Sequence, residues 1–184
     1  PGDYNVRVSV GGAVSEATLT LLPDPREEAS ADDYRFLAEK RRESTVLLNE
    51  LLDSLAMARK ARTQIELLLE DYPDAVELQD LGAQAVERLT VWENKVTQTQ
   101  YDALEDEDSM PPMLDVHIRH VLDVIDRAGA PVSAGSLQRL SDLDYQWQDR
   151  KAELRSISVS DIAAINDWAN ANDVGHVTGP GESL

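Results

Sequence analysis

From Ser30 to about Glu70 the chain carries neither proline nor glycine. Within that run Leu37, Ser44, Leu48, Leu51, Leu55, Ala58, Ile65 and Leu69 step by three, four or seven residues, the spacing of a coiled-coil-like seam. At about 1.5 Å of rise per residue, a helix of ~40 residues is ~60 Å long. One small globule cannot cover a rod of that length. The spacing therefore predicts the spine of an elongated helical bundle, with further helices laid along it. Ser30 or Asp32 can cap its start, and Asp33 places negative charge by its N-terminus.

The rest of the chain supplies those helices. Asp71-Tyr72-Pro73-Asp74 breaks the first helix and opens a second, striped by Leu78, Leu81, Ala85, Leu89, Trp92 and Val96 and expected to end near Tyr101 to Leu104. The connection is short, so the two are antiparallel neighbours. Glu105-Asp106-Glu107-Asp108-Ser109 reads as a charged loop. Pro111-Pro112 opens a third helix with Leu114, Ile118, Val121, Leu122 and Ile125 on its buried side, stopped by Gly129-Ala130-Pro131. Ser133 or Ser136 begins a fourth, carrying Leu137, Leu140, Leu143, Trp147 and Leu154. Ser160 is expected to cap a short last helix with Ile162, Ile165 and Trp168.

The N-terminal segment obeys a different period. Residues 4–22 form two alternating runs around Gly11-Gly12, the pattern of a β-hairpin. Val6, Val8 and Val10 share one face, as do Ala17, Leu19 and Leu21 on the second strand, while Arg7, Ser9, Thr18 and Thr20 face solvent. Pro23 and Pro25 end the pattern and stiffen the joint. A lone hairpin is marginal in water, so partner strands are expected upstream, in a longer parent of which this chain is the tail end. The start at Pro1 without an initiator Met fits a processed or truncated chain. The expected organisation is a hairpin over 1–22, a proline-containing linker over 23–29, a bundle over 30–171 and a flexible tail over 172–184. The fold class is mainly α: an elongated antiparallel four-helix bundle plus a short fifth helix, with an N-terminal β-hairpin left from an immunoglobulin-like sandwich.

Composition narrows what such a part can do. The net charge is −18, from 35 acids against 17 bases. Nucleic-acid backbones and anionic lipids are held by clustered Lys and Arg, so neither is an expected partner. There are no cysteines, which removes disulfides, thiolate metal sites and a Cys nucleophile. No apolar run of ~18 residues exists, so no membrane-spanning helix is expected.

No chemical constellation rises above its bland alternative. His117 and His120 lie one turn apart, but Arg119 opposes a cation and no further ligand pattern converges there. The acids at 105–108 lack the order of a calcium loop. With 35 acids, carboxylate pairs carry no information. There is no Gly-x-Ser-x-Gly elbow and no phosphate loop; Gly11-Gly12 is a turn, and Gly82 marks a close approach of two helices. Trp92, Trp147 and Trp168 could stack on a sugar, yet each falls on the apolar stripe of its helix. Arg35, Lys40, Arg41, Arg42, Arg59, Lys60 and Arg62 concentrate base on the first helix, where acids of the other helices can pair with them. Expected catalytic, cofactor-binding and metal residues are therefore none, and no cofactor is expected.

The order of these features resembles the C-terminal region of large bacterial proteins with a sortilin-like (VPS10-like) or BNR (Asp-box) repeat β-propeller, often labelled glycosyl hydrolases. The matching phrases are Pro1-Gly2-Asp3-Tyr4-x-Val6-Arg7-Val8 leading into Asp24-Pro25-Arg26, then a long helical pair, Pro111-Pro112-Met113-Leu114, Ala128-Gly129-Ala130-Pro131, the Leu137–Leu154 helix and Ile165-Asn166. The Asp-box turn itself, Ser-x-Asp-x-Gly-x-x-Trp, is absent. Its nearest echo, Ser141-Asp142-Leu143-Asp144-Tyr145-Gln146-Trp147, lacks the glycine and sits on a helix. The resemblance implies an exported parent, periplasmic or extracellular, with an upstream propeller and a small sandwich as this chain's partners. It implies a non-catalytic accessory or interaction domain acting by helix packing and docking, with homodimerisation left open. The alternatives are a part bordering a glycosidase-like active site upstream, or a helical module that binds a peptide or glycan.

Overall fold

A computed structural model describes residues 1–100 and 109–180. It is mainly helical, with an N-terminal two-stranded antiparallel hairpin. The strands are β1 (Gly2–Val10) and β2 (Ala13–Leu21). The principal helices are α1 (Ala31–Asp71), α2 (Val76–Val96), α3 (Leu114–Ala128) and α4 (Ala134–Ile157). A π-helical turn at Ser158–Ile162 leads into a short α5 (Ala163–Ala171).

The spine forms as its spacing predicts. Ser30 caps α1 with a reciprocal capping box: its hydroxyl accepts from the Asp33 N–H at 3.2 Å, and its own N–H donates to Asp33 Oδ2 at 2.8 Å. The buried seam is Leu37, Ser44, Leu47, Leu51, Ser54, Leu55, Ala58, Ala61 and Ile65. Leu48 and Leu69 flank it, half-buried. The two buried serines donate back to carbonyls one turn earlier, Ser44 to Lys40 and Ser54 to Glu50, so neither hydroxyl is orphaned.

No single helix matches α1 in length, and two share it. Gln79 donates to the Leu69 carbonyl and Glu93 meets Arg59 and Arg62, which lays α2 antiparallel along the C-terminal half of α1. Arg41 meets Asp126, and Leu114–Ile125 cover the N-terminal half. Thus α3 continues in the direction of α2. Helix α4 runs back antiparallel to both: Trp147 and Lys151 reach Glu50, the Trp92 indole N–H donates to the Arg150 carbonyl at 2.7 Å, and Arg88 meets Asp161. The core is one cluster of Leu, Ile, Val and Ala with two fully buried tryptophans, Trp92 and Trp147. Each fully buried Leu or Ile contributes about 1.5–3 kcal/mol, so this shared seam is what holds the rods together.

Three boundaries differ from expectation. Helix α2 stops at Val96, because Thr97 turns extended and its hydroxyl donates to Asp115 Oδ2 at 2.8 Å. Positions 101–104 and the acidic run 105–108 lie outside the described residues. Ser160 does not cap a new helix; α4 passes through the π turn, and the Ser160 hydroxyl donates to the Ser156 carbonyl. The stretch 172–180 folds back on the bundle instead of hanging free. Val177 is buried, its N–H and carbonyl both bonded to the Asn166 amide, and the Thr178 N–H donates to Gln64.

Candidate interaction surface

The hairpin is the part of the chain whose hydrophobic pattern is not used by the fold. Gly11 and Gly12 have φ of 57° and 87°. Both central positions of the turn are left-handed, the geometry of a type I′ turn, which glycine adopts without strain. The register runs without interruption from Val10↔Ala13 to Gly2↔Leu21. One face then gathers Tyr4, Val6, Val8, Val10, Ala13, Ser15, Ala17, Leu19 and Leu21; the other gathers Asp3, Asn5, Arg7, Ser9, Val14, Glu16, Thr18 and Thr20. The polar face is internally satisfied, with Thr20 donating to Asp3 at 2.6 Å and Arg7 3.5 Å from Glu16.

The apolar face is bare. Among the described residues the strand backbones approach each other and no helix, and only the hairpin base, at Gly2 and Tyr4, faces α1 across a cleft. Tyr4 is 50% exposed, Val8 55% and Leu19 57%. A two-residue turn makes Val10↔Ala13 a hydrogen-bonded pair, so every even residue of β1 points its backbone inward. The N–H and C=O of Asp3, Asn5, Arg7 and Ser9 therefore point out along the β1 edge. Those of Val14, Glu16, Thr18 and Thr20 point out along β2. Between Gly2 and Leu21 neither strand carries a proline, a lysine or a bulge, the devices that usually guard an edge.

The joint to the bundle is locally ordered. The Arg26 guanidinium donates to Asp24 and holds that carboxyl below its ordinary value. The Tyr34 hydroxyl donates to Glu27 at 2.6 Å, which pushes the phenol up. Bonds from Ser30 hold Asp33 down. Between the hairpin base and the start of α1 lies an open cleft of about 580 Å³, lined by Gly2, Tyr4, Pro23, Tyr34, Leu37 and Ala38.

A second open surface is a groove of about 630 Å³ between α1 and α4. Leu47 and Leu140 form its floor, Phe36, Val46 and Leu137 its apolar walls. Its rim is mixed in charge: Lys40 pairs with Glu43, Glu50 with Lys151, and Asp144 accepts from Gln148. Burial pushes Glu50 up, but the Lys151 ammonium and the Trp147 indole N–H outweigh it and hold the carboxyl below its ordinary value.

The side chains weighed for chemistry fall into place as follows. His117 is half-buried and His120 exposed on α3, and no group of three potential metal ligands exists among the described residues. Trp92 and Trp147 are sealed in the core, which leaves them no ring face for a sugar. Trp168 is half-buried and packs edge-on to Tyr72, with ring centroids 5.6 Å apart. Gly82 does mark a close approach: a Cβ there would stand 2.5 Å from the Leu69 side chain. The Ser141–Trp147 echo is plain helix within α4. Of the basic residues on α1, Arg59 and Arg62 clamp the buried Glu93 at 2.7 and 2.5 Å, Arg41 reaches Asp126 and Arg35 reaches Asp32. The Arg88–Asp161–Ser160 cluster at the π turn has no sequence signature, since Arg88 lies 73 residues from Asp161.

Against family models, curated proteins and solved structures, the chain finds no match.

Proposed function

We propose that this chain is a non-catalytic accessory domain in which a stable helical bundle carries a sheet-docking hairpin. The parent is the exported propeller protein that the sequence resembles, and the hairpin's apolar face seats on the rest of a β-sandwich in that parent. The supporting observation is the hairpin itself: an unbroken two-stranded sheet with an apolar face that none of the described residues covers. Eight apolar positions on one face of a strand pair are a poor choice for permanent solvent exposure, because each large one, once buried, would contribute about 1–2 kcal/mol or more. The bundle needs none of them, since its core closes over itself.

The test uses the two parts in trans. The upstream sandwich segment of the parent, expressed separately, is expected to co-purify with the wild-type chain. Val6→Lys or Leu19→Lys is expected to abolish that capture and leave the bundle's melting point unchanged. Capture that survives both substitutions, or no capture of the wild-type chain, refutes the reading. The α1–α4 groove favours a second reading, a helical module gripping an amphipathic peptide. Binding of such a peptide that Val46→Lys abolishes would support it.

A further inference from the structure

The hairpin offers a face and two edges, and the two edges are not equivalent. We propose that the β1 edge is the contact by which two copies of this chain associate, forming an isologous four-stranded sheet in the order β2-β1-β1-β2. This contact rests on the same open hairpin as the proposed docking, but it uses the edge rather than the face.

The choice of edge follows from the outward-pointing residues. On β1 these are Asp3, Asn5, Arg7 and Ser9; on β2 they are Val14, Glu16, Thr18 and Thr20. An edge pairing with its own copy must run antiparallel about a two-fold axis. If the axis passes through Asn5, Asp3 of one copy stands opposite Arg7 of the other, twice. The outward N–H and C=O groups of residues 3, 5 and 7 then all find partners, giving about six hydrogen bonds. On the apolar face the same register sets Tyr4 opposite Val6 of the other copy, an aromatic against a β-branched side chain, which is a favourable cross-strand pair. The β2 edge has no such register. Its one charged outward residue, Glu16, finds no basic residue opposite it in any register.

The alternative registers on β1 lose the Asp3–Arg7 pairing. Moving the axis to Arg7 sets two guanidinium groups face to face. Moving it to Val6 pairs residues 3, 5, 7 and 9 in about eight hydrogen bonds, but it sets Asp3 opposite Ser9 and Asn5 opposite Arg7 and so gives up both charge pairs. Four strands with one apolar face also pass the threshold at which a sheet becomes stable, where two do not. The net charge of −18 on each copy is not a barrier in this arrangement. The antiparallel pairing sends the two bundles off opposite ends of the sheet. Their bases, at Gly2 of each copy, stand ~20 Å apart by strand rise, beyond the ~8 Å over which charge acts at physiological salt.

The experiment is light-scattering mass across a dilution series of the 184-residue chain, run with two proline variants. Asn5 and Thr18 are cross-strand partners, and both turn their N–H away from the hairpin ladder. Asn5→Pro removes an edge donor at the two-fold centre, and Thr18→Pro imposes the same local change on the opposite edge. Wild type is expected to approach twice the chain mass of 20.4 kDa at the concentrated end. Asn5→Pro is expected to weaken association at least about tenfold, the loss of two edge hydrogen bonds, with Thr18→Pro dissociating as wild type does. A wild-type chain that stays at its single mass throughout overturns the proposal and leaves docking of the apolar face standing. Association that survives Asn5→Pro, or that Thr18→Pro weakens equally, also overturns it.

Discussion

Gly82→Ala sets two effects of opposite sign against each other on one atom. Gly82 lies inside α2, where alanine is the better helix former by about 1 kcal/mol. On propensity alone the substitution stabilises. The structure says otherwise, because the added Cβ would stand 2.5 Å from Leu69 Cδ2 and 3.0 Å from both Cδ1 and Cγ. A terminal methyl could swing away, but Cγ follows only if the side chain changes rotamer or the helices part. Overpacking of this kind costs about 1–3 kcal/mol. Leu69 is half-buried, which gives it somewhere to go, so the upper part of that range is not reached. The net expectation is a destabilisation of about 1 kcal/mol. For a chain of this size that is a fall in melting point of roughly 2–4 °C. Thermal and urea unfolding of Gly82→Ala, Leu69→Ala and the double variant measure it as a cycle. The double variant is expected to be more stable than the sum of the single effects by at least about 0.5 kcal/mol, since alanine at 69 vacates the space that the new methyl needs. Stabilisation by Gly82→Ala alone, or strict additivity in the cycle, would refute the close approach of α1 and α2.

Further expectations concern the caps and the charges. Ser30→Ala removes the hydroxyl half of the α1 capping box, leaving the backbone N–H of residue 30 on Asp33, and is expected to cost about 1 kcal/mol in urea unfolding. Glu93→Gln leaves Arg59 and Arg62 facing a neutral amide. Both guanidinium groups are partly solvated, so the loss is expected near 1–2 kcal/mol, below the cost of breaking a fully buried pair. Glu50 has its folded pKa depressed, so its contribution is fully present above the ordinary carboxylate value of about 4.3 and is lost as the pH falls through the folded value. Glu50→Gln is therefore expected to lower stability at neutral pH and to flatten the acid limb of the stability profile. An acid limb as steep as wild type would contradict the Glu50–Lys151–Trp147 cluster.

The helices were legible because each carries its own periodic stripe. Leu78, Ala85, Leu89, Trp92 and Val96 on α2, and Leu114, Ile118, Val121 and Ile125 on α3, are all buried where their spacing put them. The hairpin was legible for the same reason, with Gly11-Gly12 fixing its turn. Helix ends were harder. Thr97 stops α2 through a bond to Asp115, a residue on another helix, and no local residue signals that. Ser160 looks like an N-cap, yet Ile157 and Ile162 are both buried, and carrying both into the core draws the chain through a π turn without a break. The stretch 172–180, rich in glycine, is held by the Asn166 amide and Gln64, two contacts that composition cannot announce. The candidate surface was visible as an alternating pattern, but its bareness was not, because whether a face is covered depends on the rest of the fold.

The claim at the centre is that the bundle stands by itself and the hairpin is an added docking element. Removing residues 1–29 tests it most directly, because Ser30 and its capping box remain. The shortened chain is expected to keep its helical circular dichroism and to melt within about 2 °C of the full chain, the range of surface changes. A collapse of the melting transition, or a drop of the size caused by removing a core leucine, would show that the hairpin belongs to the fold and would contradict the account.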